Sequence, residues 1–397
     1  MRRGAWHQCG DKSQIQVEEQ LQLGVGVGVI LSPRDLSRTR ALSYAASYRS
    51  FGAQVLIDHQ FYGSDFMNSK LNSYPISAFR AAVSSLSQFS NTQLAEFQNQ
   101  LRIDNVELQT NAVIAPAVVY EAGRQDIVQF NARLFTAARS VGAELHIPVY
   151  ATVVLGRSVT ASEQTISAAL AQATALNSDG WYFAFEFEDE RIPSSRDAVR
   201  RFCAAGLTLA CTGKPVLHAY AGPLGLLSFG FGATGVGLGH SQNLWKFTRD
   251  RWQPPIAQGG GGDAPPRFFS SSLWGTIVYP DETAQLPANI RQQVLTTSPF
   301  SAPVSSGLSW SRWDAGKHLV FVLASAVSEM SQINGARASA QVAAQRLQNA
   351  AQLHRAIQQN GIFLSDGTDA YQESWRLALQ DVLQNNTADF DYLELLS

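Results

Sequence analysis

Short apolar runs, each bounded by turn residues and separated from the next by a helical pattern, recur along this chain. That alternation restricts its fold more than any other feature. The runs are GVGVGVILSP (24–33), QVLIDHQFY (54–62), NAVIAPAVVYE (111–121), ELHIPVYATVV (144–154), GWYFAFEFED (180–189), KPVLHAY (214–220), ATGVGLGH (233–240) and RFFSSSLWGTIVY (267–279). Strands that alternate with helical crossovers build a parallel sheet. Eight of them over about 250 residues predict an α/β fold of the (β/α)8 TIM-barrel type. A doubly wound open sheet is the alternative, but it places a G-x-G-x-x-G turn after its first strand. Here the glycines of 24–33 lie within the strand itself.

The barrel is expected from 24 to 280, behind an N-terminal extension over 1–23. The opening MRRGAWHQCGDKSQ has arginines but no apolar core after them, unlike a secretory signal. The glycines from Gly259 to Gly262 predict a mobile loop at 254–266, between the last two strands. From 281 to 397 the periodicity is helical. Leu347, Ala350, Leu353 and Ile357 share a stripe that Gly361 ends. This part reads as a helical appendage on the barrel, with the acidic apolar end DFDYLELLS as a surface for a protein partner. The run 216–240 has the length of a membrane span, yet Pro223 and repeated glycines break it; it predicts two buried strands joined by a short helix, and no membrane contact.

Hydrophobic residues make up 45% of the chain and charged residues 16%, the balance of a globular protein rather than a disordered one. A formal charge of −2 gives no global basic field, so any nucleic acid must meet a local patch. Cys9, Cys203 and Cys211 lack C-x-x-C spacing and read as free thiols in a reducing cytoplasm. No cofactor or metal is expected. A metal-dependent hydrolase built from His146, His218, Asp58 and Glu186 has no H-x-H or H-E-x-x-H spacing behind it.

Side chains on a strand alternate between its faces. In WYFAFEFED one face carries Trp181, Phe183, Phe185 and Phe187, and the other Tyr182, Ala184, Glu186 and Glu188. The aromatic face suits the surrounding helices, so the second face looks into the barrel. QVLIDHQFY likewise sets Leu56, Asp58, Gln60 and Tyr62 opposite Val55, Ile57, His59 and Phe61. ELHIPVY turns His146 and Tyr150 the polar way, and KPVLHAY turns His218 and Tyr220. Asp58, Gln60, Tyr62, Tyr150, Glu186, Glu188, His218 and Tyr220 are therefore expected to converge near the C-terminal mouth, where barrel enzymes keep their chemistry. Gly235, Gly237 and Gly239 would leave a cavity beside them. Crowded, partly desolvated carboxylates there would supply an acid beside a base or nucleophile, with Glu186 as acid/base, Asp58 as nucleophile or electrostatic partner and Glu188 as a further candidate. Gln60, Tyr62, Tyr150, His218 and Tyr220 would position a small-molecule or nucleoside-like substrate.

Two further motifs carry expectations. Gly237, Gly239, His240, Ser241 and Asn243 form a Gly-rich turn before a helical pattern, a candidate phosphate site. Lys246, Arg249, Arg251 and Trp252 interleave cations with an aromatic, as a single-stranded nucleic acid would require. Trp310, Arg312, Trp313 and Lys317 repeat the pattern; for both stretches the alternative is that the tryptophans anchor the appendage to the barrel.

The stretch KPVLHAYAGPLGLLSFGFGATGVGLGHSQN resembles the last two strands of the tRNA-guanine transglycosylase barrels. The matching pieces are a strand ending in a Gly-rich turn at 220–222, a P-x-x-L-L helix at 223–227 and a short strand at 232–239. The resemblance covers about 213–243 and implies a base or nucleoside ligand. It departs from the family where the aspartate nucleophile would stand, since Gly235, Gly237 and Gly239 occupy that strand, and no downstream cysteine set matches the family's zinc cluster. The sequence thus predicts an enzyme that cleaves or transfers a glycosidic or N-glycosidic bond. A non-catalytic barrel acting as a binding or scaffold subunit of a nucleic-acid-handling complex is the alternative.

Overall fold

The computed structural model describes residues 1–10, 12–63, 66–83, 90–188, 192–240, 244–252, 265–365 and 370–396. Its centre is an eight-stranded parallel sheet in the order β3-β2-β1-β8-β7-β6-β5-β4. The strands are β1 (Gly4–Gln8), β2 (Gly28–Leu31), β3 (Gln54–Ile57), β4 (Val113–Ile114), β5 (Val149–Leu155), β6 (Gly180–Phe185), β7 (Val216–His218) and β8 (Gly235–Gly239). The outermost strands β3 and β4 meet through one residue: Asn111 N donates to Val55 O at 2.9 Å and Val55 N donates to Asn111 Oδ1 at 2.7 Å. The sheet so curls into the expected (β/α)8 barrel.

Its limits differ from those the sequence predicts. The first strand is Gly4–Gln8, inside the supposed extension, and the barrel ends at Gly239. The eighth predicted run folds as a separate antiparallel hairpin, β9 (Arg267–Ser270) with β10 (Gly275–Val278), outside the barrel sheet. β1 is hidden in the sequence because GAWHQ is not an apolar run: His7 and Gln8 end it. Ala5 and His7 face the helices, while Trp6 and Gln8 face inward. Trp6 fills the barrel floor: a Cβ at Gly28 would lie 2.5 Å from its ring, and one at Gly235 would lie 2.8 Å away. The glycines of β8 therefore bed neighbouring side chains, and the cavity expected beside them is filled by Trp6, Gln8 and Leu244.

Two apolar layers follow the strand alternation. The outer one joins Val29, Val55, Val153, Trp181, Phe183 and Val236 to the surrounding helices, and the inner one joins Trp6, Ile30, Leu56, Ile114, Tyr182 and Leu217. The C-terminal helices, Arg312–Ser331, Ala336–Gln359, Ala370–Asn385 and Thr387–Leu396, continue the outer layer. Trp375 Nε1 bonds Pro193 O at 2.6 Å and Arg196 makes a two-pronged ion pair with Asp381, which fastens the appendage to the barrel shell. Trp310 is buried against Phe268, Tyr279 and His318, in keeping with an anchoring role. Among the described residues no helix is long and apolar enough to cross a membrane. The predicted loop at 254–266 falls almost wholly outside the described residues.

Candidate functional site

The C-terminal end of β3 carries the centre of the site. Asp58 follows the last strand residue, Ile57, and keeps the inward phase of Leu56. It is 3% exposed. Its Oδ2 accepts hydrogen bonds from Tyr62 Oη and from Tyr182 Oη, the latter at 2.8 Å, and its Oδ1 accepts from Gln60 N at 2.9 Å. Gln60 has φ +55°, which turns the chain into the short 3-10 turn Phe61–Gly63 and brings Tyr62 back over Asp58. Buried Arg80 secures that turn by donating to the carbonyls of His59, at 2.9 Å, and Gln60, at 3.0 Å.

The network continues in one direction. Gln60 Nε2 donates to Tyr220 Oη at 3.0 Å, and the Tyr220 and Tyr62 hydroxyls lie 2.6 Å apart. Gln8 Nε2 lies 3.5 Å from Tyr182 Oη, and Gln8 Oε1 accepts from Tyr220 N at 2.8 Å. Every donor can thus be oriented toward Asp58 without two acceptors facing each other. Burial raises the Asp58 carboxyl above its ordinary value, against the opposing pull of the Tyr62, Tyr182 and Gln60 hydrogen bonds. Burial, reinforced by the Asp58 charge, also raises the Tyr62, Tyr182 and Tyr220 hydroxyls, which keeps the phenols as donors.

Glu186 reaches the same end of the barrel from β6 but joins a different network. Only 1% exposed, it accepts from Arg157 N at 3.0 Å and from Arg249 N and Nε at 3.1 and 3.2 Å. Arg249 also pairs with Glu121. Glu186 lines a cavity of about 150 Å3 shared with Arg157, Thr160, Ser194, Ser195 and Arg201. Among the described residues, no hydrogen-bond partner is common to Asp58 and Glu186. Glu188 is exposed on the rim.

Residues 244–252 cover the mouth. Phe247 forms a β-bridge with Glu186, and its ring lies 5.2 Å from that of Tyr62 and 5.6 Å from that of Tyr220. Trp252 packs edge-on to Tyr62 at 5.1 Å and needs Gly63 beneath it, since a Cβ there would lie 2.2 Å from the indole. Arg251 pairs with buried Asp35, which also accepts from Arg34 at 2.7 Å and from Ser32 at 2.8 Å. Of the residues expected in a nucleic-acid patch, Arg249 pairs with Glu186, Arg251 with Asp35, Trp252 packs on Tyr62, and Lys246 donates to Glu188 O at 3.1 Å.

Other expected site residues are placed elsewhere. His218 faces outward, 4.6 Å from the Phe202 ring, with Nδ1 bonded to Ser228 at 2.7 Å. Burial lowers its pKa to about 3. The predicted phase of KPVLHAY holds for Tyr220 because its φ of +55° resets the alternation after the strand ends. Tyr150 is inward but at the opposite end, against Gly180 and near Asp179. His146 is the left-handed cap of the helix Gln125–Leu145 and not a strand residue. At the predicted phosphate turn, a Cβ on Gly239 would lie 1.9 Å from Leu244, so the glycines serve packing; His240 is buried near His7, and Ser241 and Asn243 lie outside the described residues. Among the described residues no cluster of three or more His, Cys, Asp or Glu side chains could hold a metal ion.

Sequence reasoning missed Gln8, Ser32 and Asp35. Gln8 follows Trp6 at the two-residue spacing in β1, and Ser32 and Asp35 follow β2 directly, which is the signal that could have found them. No protein-family model matches this chain, and neither does any curated protein sequence.

Proposed function

We propose that the chain cleaves or transfers a glycosidic or N-glycosidic bond at the C-terminal mouth of its barrel. The observation that carries this reading is Asp58, a buried carboxylate with two phenols on one oxygen, at the end of a barrel strand. Such a group, held in place before substrate arrives, can stabilise the positive charge of an oxocarbenium-like transition state or attack it. Tyr62, Tyr182 and Tyr220 orient it, and Gln60 and Gln8 orient the tyrosines. Glu186 would serve as acid/base through Oε1 once Arg249 releases it, while Oε2 stays held by Arg157 N. The weak resemblance at 213–243 agrees with a base or nucleoside ligand.

The test is a panel of nucleosides and aryl glycosides, scored for release of base or aglycone, with wild type and Asp58→Asn side by side. Turnover that falls by about 10²-fold or more in a folded Asp58→Asn protein supports the proposal. An unchanged rate overturns it. One observation favours a non-catalytic binding or scaffold barrel instead: Asp58 and the tyrosines around it are buried, with Phe247 and Trp252 packed on Tyr62. A fold hosts many functions, so this second reading wins if no member of the panel turns over or shifts the melting temperature.

A further inference from the structure

The cover over the mouth contains polar groups that its own packing does not satisfy. Trp252 is 5% exposed and its Nε1 is buried with no hydrogen-bond partner among the described residues. The Arg251 side chain is 9% exposed; one terminal nitrogen pairs with Asp35, while the other, Nη1, is buried with no partner among the described residues. Arg34 Nε is a third donor without a partner among the described residues. These groups are neighbours: the Arg251 guanidinium carbon lies 5.5 Å from the Trp252 ring centre and 5.8 Å from that of Tyr220, and Arg34 Nη2 donates to Arg251 O at 2.7 Å. A donor buried with no acceptor forfeits the hydrogen bonds it made to water, and a guanidinium nitrogen forfeits more than a neutral one. Charge is unbalanced in the same sense, since both guanidiniums lean on the single carboxylate of Asp35.

Resting on the reading of the mouth as a ligand site, we infer that Arg251 and Trp252 form a subsite for an oxyanion of the ligand, a phosphate or carboxylate group. Guanidinium and indole N–H are both donors without acceptor capacity, so only an acceptor satisfies them, and a charged one also balances Arg34 and Arg251. The subsite borders Tyr220, one hydroxyl away from Tyr62 and two from Asp58. A ligand anchored there by its anion would present a neighbouring bond to the carboxylate. The subsite lies on the cover rather than at the Gly-rich turn after β8, where Leu244 takes the space.

The experiment uses the full chain labelled with 15N at its tryptophans, whose 8 indole N–H signals are followed by NMR. Trp252→Phe, which keeps the ring stack and removes the donor, identifies the Trp252 signal by its loss. Inorganic phosphate and acetate are then titrated separately. A saturable shift of the Trp252 signal is expected, and the anion with the tighter midpoint says whether the subsite is built for phosphate or carboxylate. Arg251→Gln should weaken that midpoint about tenfold or more, as loss of a charge-assisted hydrogen bond predicts. Arg251→Lys, which keeps a cation for Asp35 but offers no second guanidinium nitrogen, should weaken it similarly and guards against a folding defect in the first variant. A Trp252 signal unmoved by either anion overturns the inference, and so does a midpoint that both Arg251 variants leave unchanged. Asp58→Asn should retain the shift, so failure of the catalytic reading and failure of the subsite give different results.

Discussion

Tyr182 Oη donates to Asp58 Oδ2 at 2.8 Å, from the middle of β6 across the barrel to the end of β3. Burial outweighs this bond and its companions, so the folded protein holds the Asp58 proton more tightly than the unfolded chain. The native state then binds more protons than the unfolded one once pH passes the ordinary value of 3.8. The stability that Asp58 contributes is full below that value and is lost as pH rises through the raised one. Asp58→Asn removes the titration. Urea midpoints measured against pH should show wild type losing ground relative to Asp58→Asn as pH rises from 3.8, and parallel curves would refute the assignment.

Buried histidines act in the opposite sense. Burial lowers His218 to about 3, and His7 and His318 to about 4, each against the ordinary 6.5. The unfolded chain binds protons that the folded one refuses, so stability is present above 6.5 and is lost as pH falls toward 3. Each such group contributes up to about 1.4 kcal/mol per pH unit within its window. Stability should fall as pH drops from 6.5 toward 3, and His218→Phe should flatten the acid limb of the stability curve by roughly one proton.

Gly63→Ala should unseat Trp252, because the added Cβ has no room beneath the indole. Overpacking of this kind costs about 1–3 kcal/mol. A lower urea midpoint together with faster proteolytic cutting near 252 is the expected pair of results; a wild-type profile would mean that the cover does not rest on Gly63.

The cover should also loosen when its rim anchor is cut. A double-mutant cycle on Arg249→Gln and Glu186→Gln is expected to give a coupling of about 1 kcal/mol, modest because the Arg249 side chain is 41% exposed and screened by solvent. Added salt should shrink that coupling, as it does for exposed pairs.

Trp6→Ala would empty the barrel floor between Gly28 and Gly235. Loss of a fully buried tryptophan costs about 3–5 kcal/mol, and a denaturant midpoint near wild type would show that the floor collapses around the void.

Much of the barrel was legible because two-residue alternation is a local property. The phases of 54–62 and 181–187 can be read from residue types alone, and they place Asp58, Tyr62 and Tyr182 correctly. Phase fails where the backbone breaks the alternation. The strand containing His218 ends at that residue, and the φ of +55° at Tyr220 turns its ring inward, so the two share a polar spacing but not a face. Strand ends are similarly opaque: the helix Gln125–Leu145 overruns the predicted start of β5 and takes His146 with it. The contacts of the cover were hidden for a different reason. Arg249, Arg251 and Trp252 form the composition of a nucleic-acid patch, and nothing local says that their partners are Glu186, Asp35 and Gly63, all distant in the chain.

Trp6 has a consequence for traffic. Its ring occupies the lower end of the barrel against Gly28 and Gly235, so the polar groups around Asp58 face only the upper end. On the proposed function, substrate and product would both pass the C-terminal mouth that residues 244–252 cover, so whatever holds Phe247 and Trp252 in place also bears on entry and release.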